Sequence, residues 1–161
     1  MEKKPLFWLF KIYILLNVFL FVNACKQEEH ITTNHIKIGV MLGFSGTGSQ
    51  NAIETKAALD ICLEDVNAYF QRNGLEAMVE LYYEDTKSDT TEARMKALNL
   101  IEKGVSIIIG PYTSSEAKAV MSIVNESDVL LVSHSAVSTA LAIPDDNLLR
   151  FVLATLTRPK L

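Results

Sequence analysis

The feature that most constrains this chain is a regular alternation of short apolar runs with longer segments of helical periodicity. Residues 36–42 read Ile-Lys-Ile-Gly-Val-Met-Leu, a run that predicts a strand. Residues 51–71 repeat apolar side chains at helical spacing and end at Asn73-Gly74, a typical helix stop. The same reasoning predicts further strands at 77–83, 105–109, 129–132 and 147–153, and further helices at 88–103 and 113–125.

This order predicts an α/β fold, namely a doubly wound parallel sheet with helices on both faces. The doubly wound pattern gives about five strands in an order near 2-1-3-4-5, with three helices packed on the two faces. Val105–Ile109 is apolar throughout, so the third strand is predicted to be buried on both faces. We expect residues 36–153 to form one domain.

Small polar residues follow each of the first four predicted strands. Ser45 follows the first strand, Asp85 the second, Ser114 and Ser115 the third, and Ser135 the fourth. Taken one at a time, such residues are better explained by turn and cap chemistry. In a parallel sheet, however, the carboxyl ends of the strands meet at one edge, where ligands bind. Four polar loops at that edge favour a pocket for a small molecule.

The third of these loops has the pattern of a helix start. Thr113 is followed three residues later by Glu116, which is a capping box. The backbone N–H groups and hydroxyls of Ser114 and Ser115 would then favour a ligand carboxylate without adding net charge. The alternative is that Thr113 caps the helix and the serines have no further role.

Catalytic motifs are not found in the sequence. Residues 43–47 depart from the G-x-S-x-G pattern at Thr47, and neither a dinucleotide fingerprint nor a P-loop is spelled out. Glu84 and Asp85 are neighbours in a predicted strand, so their side chains should point to opposite faces. His134 has no second metal ligand nearby and is predicted to be solvated or hydrogen-bonded. We therefore expect a binding protein without cofactor or metal, and an enzyme is the least favoured class.

The N-terminal segment has the layout of an export signal. Lys3 and Lys4 precede an apolar run that extends to Val22, and a Val-Asn-Ala-Cys box ends at Cys25. The segment resembles a bacterial lipoprotein signal, which implies cleavage after residue 24 and lipidation of the Cys25 thiol. Residues 25–35 are then expected to be a polar tether. The alternative is an uncleaved transmembrane helix, since the apolar run is about long enough to span a bilayer.

Charge and cysteine content exclude several partners. The whole chain has 15 Lys and Arg against 19 Asp and Glu, and most of the charge in the signal is basic. The mature chain is therefore acidic, which disfavours nucleic acid as a partner. Once Cys25 carries lipid, Cys62 is the single thiol left, so no disulfide framework can form. Cys62 lies in the apolar pattern of the first helix and is predicted to be buried and inert.

Three stretches of the sequence resemble one family. They are residues 36–67, with Phe44-Ser45-Gly46 and Asp65-Val66-Asn67; residues 83–86, Tyr-Glu-Asp-Thr; and residues 108–150, with Gly110-Pro111-Tyr112-Thr113-Ser114-Ser115 and Ser133-His134-Ser135-Ala136. Together they resemble the type I periplasmic binding proteins, particularly the branched-chain amino-acid-binding branch. The resemblance implies two α/β lobes that close on a small ligand, and it covers the first lobe only.

The resemblance also implies roles for individual residues. Ser114 matches the serine that holds the ligand carboxylate, and Ser135 falls on a position where the backbone contacts the ligand. Val137 stands where the family has a threonine hydroxyl, so Ser138 would have to replace it through a shifted loop. Asn51 stands where an aromatic residue often covers the ligand. These departures do not affect the predicted fold, but they widen the range of expected ligands to small polar molecules other than amino acids.

The resemblance and the signal together lead to a functional hypothesis. The chain is expected to be the substrate-binding lipoprotein of an ABC importer, working with a permease and anchored in the cell envelope on the periplasmic or extracellular face. The alternative is a non-transport lipoprotein on the same fold, such as a sensor subunit or an activator of peptidoglycan synthesis. Residues 154–161 are interpreted as a truncated tail, and a single lobe is expected to bind ligand weakly or not at all.

Overall fold

The computed structural model describes residues 34–152, and the predicted signal, Cys25 and the tail lie outside them. Five strands and three α-helices alternate along the described chain, and a short 3₁₀ turn at Thr139–Leu141 lies between the last two strands. None of the helices in residues 34–152 has both the length and the apolar composition of a membrane-spanning helix. The elements are β1 Asn34–Leu42, α1 Ser49–Arg72, β2 Ala77–Asp85, α2 Thr90–Glu102, β3 Ile107–Ile109, α3 Ser114–Glu126, β4 Leu130–Ser133 and β5 Leu148–Arg150.

The strands form one sheet in the order β2-β1-β3-β4-β5, and every neighbouring pair is parallel. The predicted α/β class and strand order are therefore confirmed. β1 begins two residues earlier than predicted because Asn34 pairs with Ala77 and its N–H donates to the Glu76 carbonyl. The last two residues of the predicted tether thus belong to the sheet.

Helices α2 and α3 cover one face of the sheet with a continuous core. Leu100 of α2, Val120 of α3, Ile108 of β3 and Leu131 of β4 all have no exposed surface. The backbone of β1 approaches α2 closely at Gly39, where an added Cβ would lie 2.8 Å from a Leu100 methyl group. Both helices begin at side-chain caps, Asp89 for α2 and Thr113 for α3, which satisfy backbone N–H groups that a helix start leaves free.

Among residues 34–152, α1 is the one helix on the opposite face, and the core that these residues form there is small. It consists of Val40, Leu42 and Ala52, with half-buried neighbours that include Ile109. Ile107 and Ile109 are only partly buried, so the prediction that the third strand is buried on both faces was wrong. The apolar pattern of a strand in the sequence does not show whether a helix covers each of its two faces.

The prediction for Cys62 was also wrong, because its side chain is exposed. α1 turns Ala52 and Leu59 toward the sheet, and Cys62 lies on the flank of the helix. Apolar residues occur on more than one side of α1, with Ile53 and Ile61 exposed by 56% and 62%. A pattern of this kind does not identify the single side that the sheet covers.

Candidate functional site

The carboxyl ends of β3 and β4 place four of the five predicted site serines in neighbouring loops. Ser114 and Ser115 begin α3, whereas Ser135 and Ser138 lie in the loop that follows β4. The two loops are joined directly, since the Ser138 N–H donates to Ser114 Oγ at 3.2 Å and Ser135 Oγ donates to the Tyr112 carbonyl at 2.6 Å. The edge of the sheet thus brings together residues that are more than 20 positions apart in sequence.

The start of α3 is a complete capping box, as predicted. Thr113 Oγ1 accepts from the Glu116 N–H at 3.2 Å, and Glu116 Oε2 accepts from the Thr113 N–H at 3.3 Å and from its hydroxyl at 2.6 Å. Within the described residues, the N–H groups of Ser114 and Ser115 have no acceptor. These two amides lie at the positive end of a 13-residue helix, where an anion is stabilised.

The Ser114 hydroxyl is the best-placed donor in this cluster. Its oxygen already accepts from Ser138, while its proton has no protein acceptor among residues 34–152. Ser115 Oγ lies 3.1 Å from Thr113 Oγ1, and Ser138 Oγ accepts from the Ala140 N–H at 3.3 Å. Ser114 can therefore hold the loop after β4 and donate to a ligand oxygen at the same time.

Arg150 was not predicted as part of this region. It ends β5, and its guanidinium donates to the carbonyl of Ser138 at 2.8 Å and of Ala136 at 3.5 Å. The side chain is half-buried, and it forms no ion pair with any residue that the structure describes. The signal in the sequence was a charged residue inside an apolar predicted strand, because a buried charge needs polar partners.

Ser45 belongs to a different part of the same edge. Its hydroxyl donates to Asp85 Oδ2 at 2.5 Å, and the other oxygen of that carboxylate accepts from the Lys87 N–H at 2.9 Å. Burial raises the pKa of Asp85, but hydrogen bonds from Ser45 and from the Lys87 and Phe44 backbones outweigh burial and hold the pKa below its usual value. Ser45 thus ties the loop after β1 to the loop after β2, and its proton is already engaged.

The neighbouring acidic residue, Glu84, points away from Asp85. Its two oxygens lie 2.6 Å from Lys103 Nζ and 3.2 Å from Lys96 Nζ, both on the α2 side of the sheet. The prediction that Glu84 and Asp85 cannot act as one acid–base pair is consistent with this arrangement. Among residues 34–152, no group of three His, Cys, Asp or Glu side chains could hold a metal ion.

Tyr112 connects the start of α1 to the loop after β4. Its hydroxyl accepts from Asn51 Nδ2 at 3.2 Å, and its ring packs against His134 with centroids 5.8 Å apart. His134 was predicted to be solvated or hydrogen-bonded, which was wrong, because both ring nitrogens are buried without a partner among the described residues. Burial lowers the pKa of His134, so the neutral imidazole is favoured.

Comparisons with known proteins agree on one family. The family model described as periplasmic binding protein matches residues 35–154. The curated relatives include an uncharacterized protein from Methanocaldococcus jannaschii, 29% identical over 73% of this chain and 30% of its own length. They also include Glutamate receptor 2.5 from Arabidopsis thaliana, 31% identical over 77% of this chain and 13% of its own.

Solved structures of substrate-binding proteins have the same fold. The branched-chain amino acid transporter substrate-binding protein LivJ from Streptococcus pneumoniae, in complex with isoleucine, is 26% identical with a TM-score of 0.68. It is matched over 74% of this chain and 34% of its own. The leucine-binding protein LivK from Thermotoga maritima is 26% identical with a TM-score of 0.64, over 73% of this chain and 33% of its own. The described chain therefore spans about a third of these structures.

Proposed function

Because this chain belongs to the periplasmic binding protein family, we propose that it is the substrate-binding component of an ABC importer and captures a small polar ligand such as an amino acid. The members of the family and the fold neighbours are binding proteins, which supports a ligand-binding role for this chain. That its partner is an ABC transporter and that its ligand is a small polar molecule is what we propose beyond this role. It is supported by two structural neighbours, a branched-chain amino acid transporter substrate-binding protein in complex with isoleucine and a leucine-binding protein.

The observation that carries the proposal is the pair of free amides at the start of α3, next to the Ser114 hydroxyl. Three N–H or O–H donors from Ser114 and Ser115 lie at one helix end, without an acceptor in the described chain. A ligand carboxylate would be held there by hydrogen bonds and by the helix dipole. Such donors carry no net charge, which suits reversible capture of a ligand.

Charges around the cluster favour a ligand that is not strongly anionic. The Glu116 carboxyl is 1% exposed and its Oε1 atom has no partner among residues 34–152. Arg150, which holds the Ser138 carbonyl, brings a positive charge to the same loop. A single carboxylate fits between these opposing fields better than a phosphate with two negative charges.

The proposal places the protein on a membrane through lipid on Cys25, and the membrane-bound permease would be its partner. The motivation is the Lys-rich start, the apolar run and the box that ends at Cys25. Metabolic labelling with a fatty acid should mark the wild-type protein, and Cys25→Ser should abolish the label. Label that persists in the variant would refute lipidation at Cys25.

The ligand site is tested by substitution of Ser114. A thermal-shift screen of amino acids and small carboxylates would be made on the full chain, and on a fusion in which the rest of a relative follows Phe151. Ser114→Ala removes a hydrogen bond to a charged group, worth about 1.5–3 kcal/mol, so the dissociation constant of the best hit should rise roughly ten- to hundredfold. Titration calorimetry measures this change.

Two controls separate binding from stability. Ser122→Ala changes an exposed serine of the same helix and should leave affinity unchanged. Thr113→Ala removes the helix cap and should cost about 1 kcal/mol of unfolding free energy without changing affinity. Ser114→Ala removes the acceptor of the Ser138 N–H and should cost about 0.5–1.5 kcal/mol, so the loss of affinity is what distinguishes the two variants. Unchanged affinity in Ser114→Ala would defeat the site assignment, and a screen without amino-acid or carboxylate hits would contradict the ligand class.

The second candidate function is a ligand-sensing module that is not part of a transporter. The matches to plant proteins named glutamate receptors favour it, since 31% identity extends over 77% of this chain. The two candidates use the same ligand edge of the sheet and differ in the partner. Genes for a permease and an ATPase beside the gene for this chain would support the importer, and a neighbouring gene for a signalling protein would support the sensor.

A further inference from the structure

The segment that follows β4 brings the Ser138 N–H to Ser114, although few of its own side chains are buried. Ala136 and Leu141 are buried at its two ends, whereas the four residues between them are exposed or half-buried. Packing therefore fixes both ends of residues 136–141 and leaves the middle without buried contacts. The position of the Ser138 backbone has to come from hydrogen bonds.

Arg150 supplies one of these hydrogen bonds from the neighbouring strand. A guanidinium nitrogen donates to the Ser138 carbonyl at 2.8 Å and, at the longer distance of 3.5 Å, to the Ala136 carbonyl. The Ser138 carbonyl also accepts from the Leu141 N–H at 3.3 Å, so both of its lone pairs are used. Arg150 is itself fixed in the sheet, where it pairs with Ser133 of β4. A residue of the sheet thus holds the middle of a loop that packing does not hold.

The bond from the Ser138 N–H limits the directions in which the Ser114 hydroxyl proton can point. A serine oxygen has one proton and two lone pairs, which take three staggered directions about the oxygen. The Ser138 N–H lies on one lone pair, with 3.2 Å between nitrogen and oxygen, so the proton is confined to the other two directions. An accepted hydrogen bond also polarises the hydroxyl and strengthens the bond that it donates. The Ser114 hydroxyl is therefore oriented before a ligand arrives.

We propose that Arg150 is a positioning residue of the ligand site. It fixes the Ser138 backbone, and through Ser138 it orients the hydroxyl with which Ser114 binds the ligand. The inference rests on the proposed function, because it takes Ser114 as a donor to the ligand. It does not require the guanidinium to touch the ligand. If Arg150 served only to tie β5 to the loop, its loss would change stability and leave affinity as it is.

The charge of Arg150 offers a different route to the same loss of affinity. A positive charge near a carboxylate favours binding whether or not a hydroxyl is oriented. The two routes differ in how two substitutions combine. Once the Ser114 hydroxyl is removed, a positioning residue that acts through it has nothing left to orient, whereas a charge acts as before. A double-mutant cycle with Ser114→Ala therefore separates them.

The first measurement needs no ligand. Hydrogen exchange of the Ser138 amide, followed by NMR on the full chain, reports how firmly its N–H is bonded to Ser114. Arg150→Gln should speed this exchange by about three- to tenfold, while the amides in the centre of α3 keep their rates. Arg150→Lys keeps the charge but loses the planar guanidinium with its fixed donor directions, and it should give a smaller increase. If Arg150→Gln does not fold, Arg150→Lys decides by the same measurement.

The second measurement uses acetate as the probe, because it is the simplest carboxylate that the site should accept. Chloride at the same ionic strength is the reference. Acetate should shift the amide signals of Ser114 and Ser115, and Arg150→Gln should raise its apparent dissociation constant by about three- to tenfold. In a Ser114→Ala background, Arg150→Gln should have no further effect on that constant.

The matched control is Arg94→Gln on α2. The Arg94 guanidinium also donates to a backbone carbonyl, that of Ala119 in α3, at 2.7 Å. Its loss removes the same kind of bond and the same charge at a distance from the loop after β4. Arg94→Gln should leave both the exchange of the Ser138 amide and the response to acetate unchanged.

The outcomes distinguish this inference from the function on which it rests. Exchange of the Ser138 amide at the wild-type rate in both Arg150 variants would overturn the inference. An effect of Arg150→Gln on acetate binding that persists at full size in Ser114→Ala would overturn it as well, in favour of the charge. If acetate shifts neither Ser114 nor Ser115 in the wild type, the proposed ligand site itself is contradicted, and the inference falls with it.

Discussion

The two faces of the sheet differ in how completely they are covered. On the α2 and α3 side, fifteen buried residues from three strands, two helices, the 3₁₀ turn and the loops form one continuous core. On the α1 side, the buried cluster within the described residues consists of Val40, Leu42 and Ala52. Both faces are made from the same five strands, so the difference arises from the number of helices that reach them. Within residues 34–152, two helices pack on the α2 and α3 side, and one helix packs on the other side over β1 and β2.

The difference also bears on the candidate ligand site. Ser114 and Ser115 begin α3, whose inner side is anchored by Val120 and Val124 in the larger core. Their N–H groups are therefore held in place by packing on the covered side. α1 begins at Gly48 without a side-chain cap, and its N-terminal loop is fixed by Ser45 and Asp85 instead. The well-packed face thus supplies the donors of the candidate ligand site.

The largest expected effect is a difference in the free energy of unfolding between alanine variants of two neighbouring residues of β3. Ile108 is fully buried against α2 and α3, while Ile109 is partly buried on the α1 side. Ile108→Ala should lower the free energy of unfolding by about 3–4 kcal/mol through lost contacts and a cavity. Ile109→Ala should cost about 1–2 kcal/mol, since less apolar surface leaves water there on folding. Urea denaturation at low protein concentration measures both.

The same two variants also test the contrast between the faces. Equal costs for Ile108→Ala and Ile109→Ala would mean that Ile109 is as well covered in solution as Ile108, and would contradict the difference in burial between the two faces.

A smaller effect on stability is expected when pH changes the protonation of His134, which lies at the carboxyl edge of the sheet. Burial lowers the pKa of His134 in the folded protein, below the value of about 6.5 for an unfolded chain. The unfolded state therefore binds the proton more readily, and stability present above about pH 6.5 should be lost as pH falls through the folded-state pKa. His134→Gln should remove this part of the pH dependence. The measurement is the midpoint of urea unfolding between about pH 7.5 and pH 5, where the carboxylates remain mostly charged.

The His134 prediction has a direct check in solution. Titration of the imidazole proton signals by NMR should give a pKa below that of a histidine in an unfolded chain, about 6.5. A pKa at or above that of the unfolded chain would show that the ring is hydrated or paired with an acid. His134 would then not differ from an ordinary surface residue, and the burial of its two ring nitrogens would not persist in solution.

Much of the fold could be predicted because local patterns are strong in this chain. The strand order, the three helices and the Thr113–Glu116 capping box depend on spacing and residue type within short segments. Three predictions about burial failed, namely those for Cys62, for His134 and for both faces of β3. Each depended on which other elements lie opposite the residue, and this depends on distant parts of the chain.

For the site, residue types pointed to the correct loops but not to the contacts between them. The sequence shows that Ser114 starts a helix and that Ser138 lies in a loop, and only the structure joins the two at 3.2 Å. It likewise separates Ser45, which is engaged with Asp85, from the other serines. Long-range hydrogen bonds of this kind leave no periodic signal, because neither partner is constrained by its neighbours in sequence.

By itself the sequence determined the class of fold, the strand order and the capped starts of α2 and α3, since these depend on apolar periodicity and capping chemistry that act over a few residues. Tertiary structure alone decided that Arg150 holds the loop after β4. It also decided that α1 is the single described helix on its face of the sheet, and that Ile107 and Ile109 are therefore only partly buried. The reason is physical. Local patterns report how a segment prefers to fold, whereas burial depends on which surface another segment brings within contact distance.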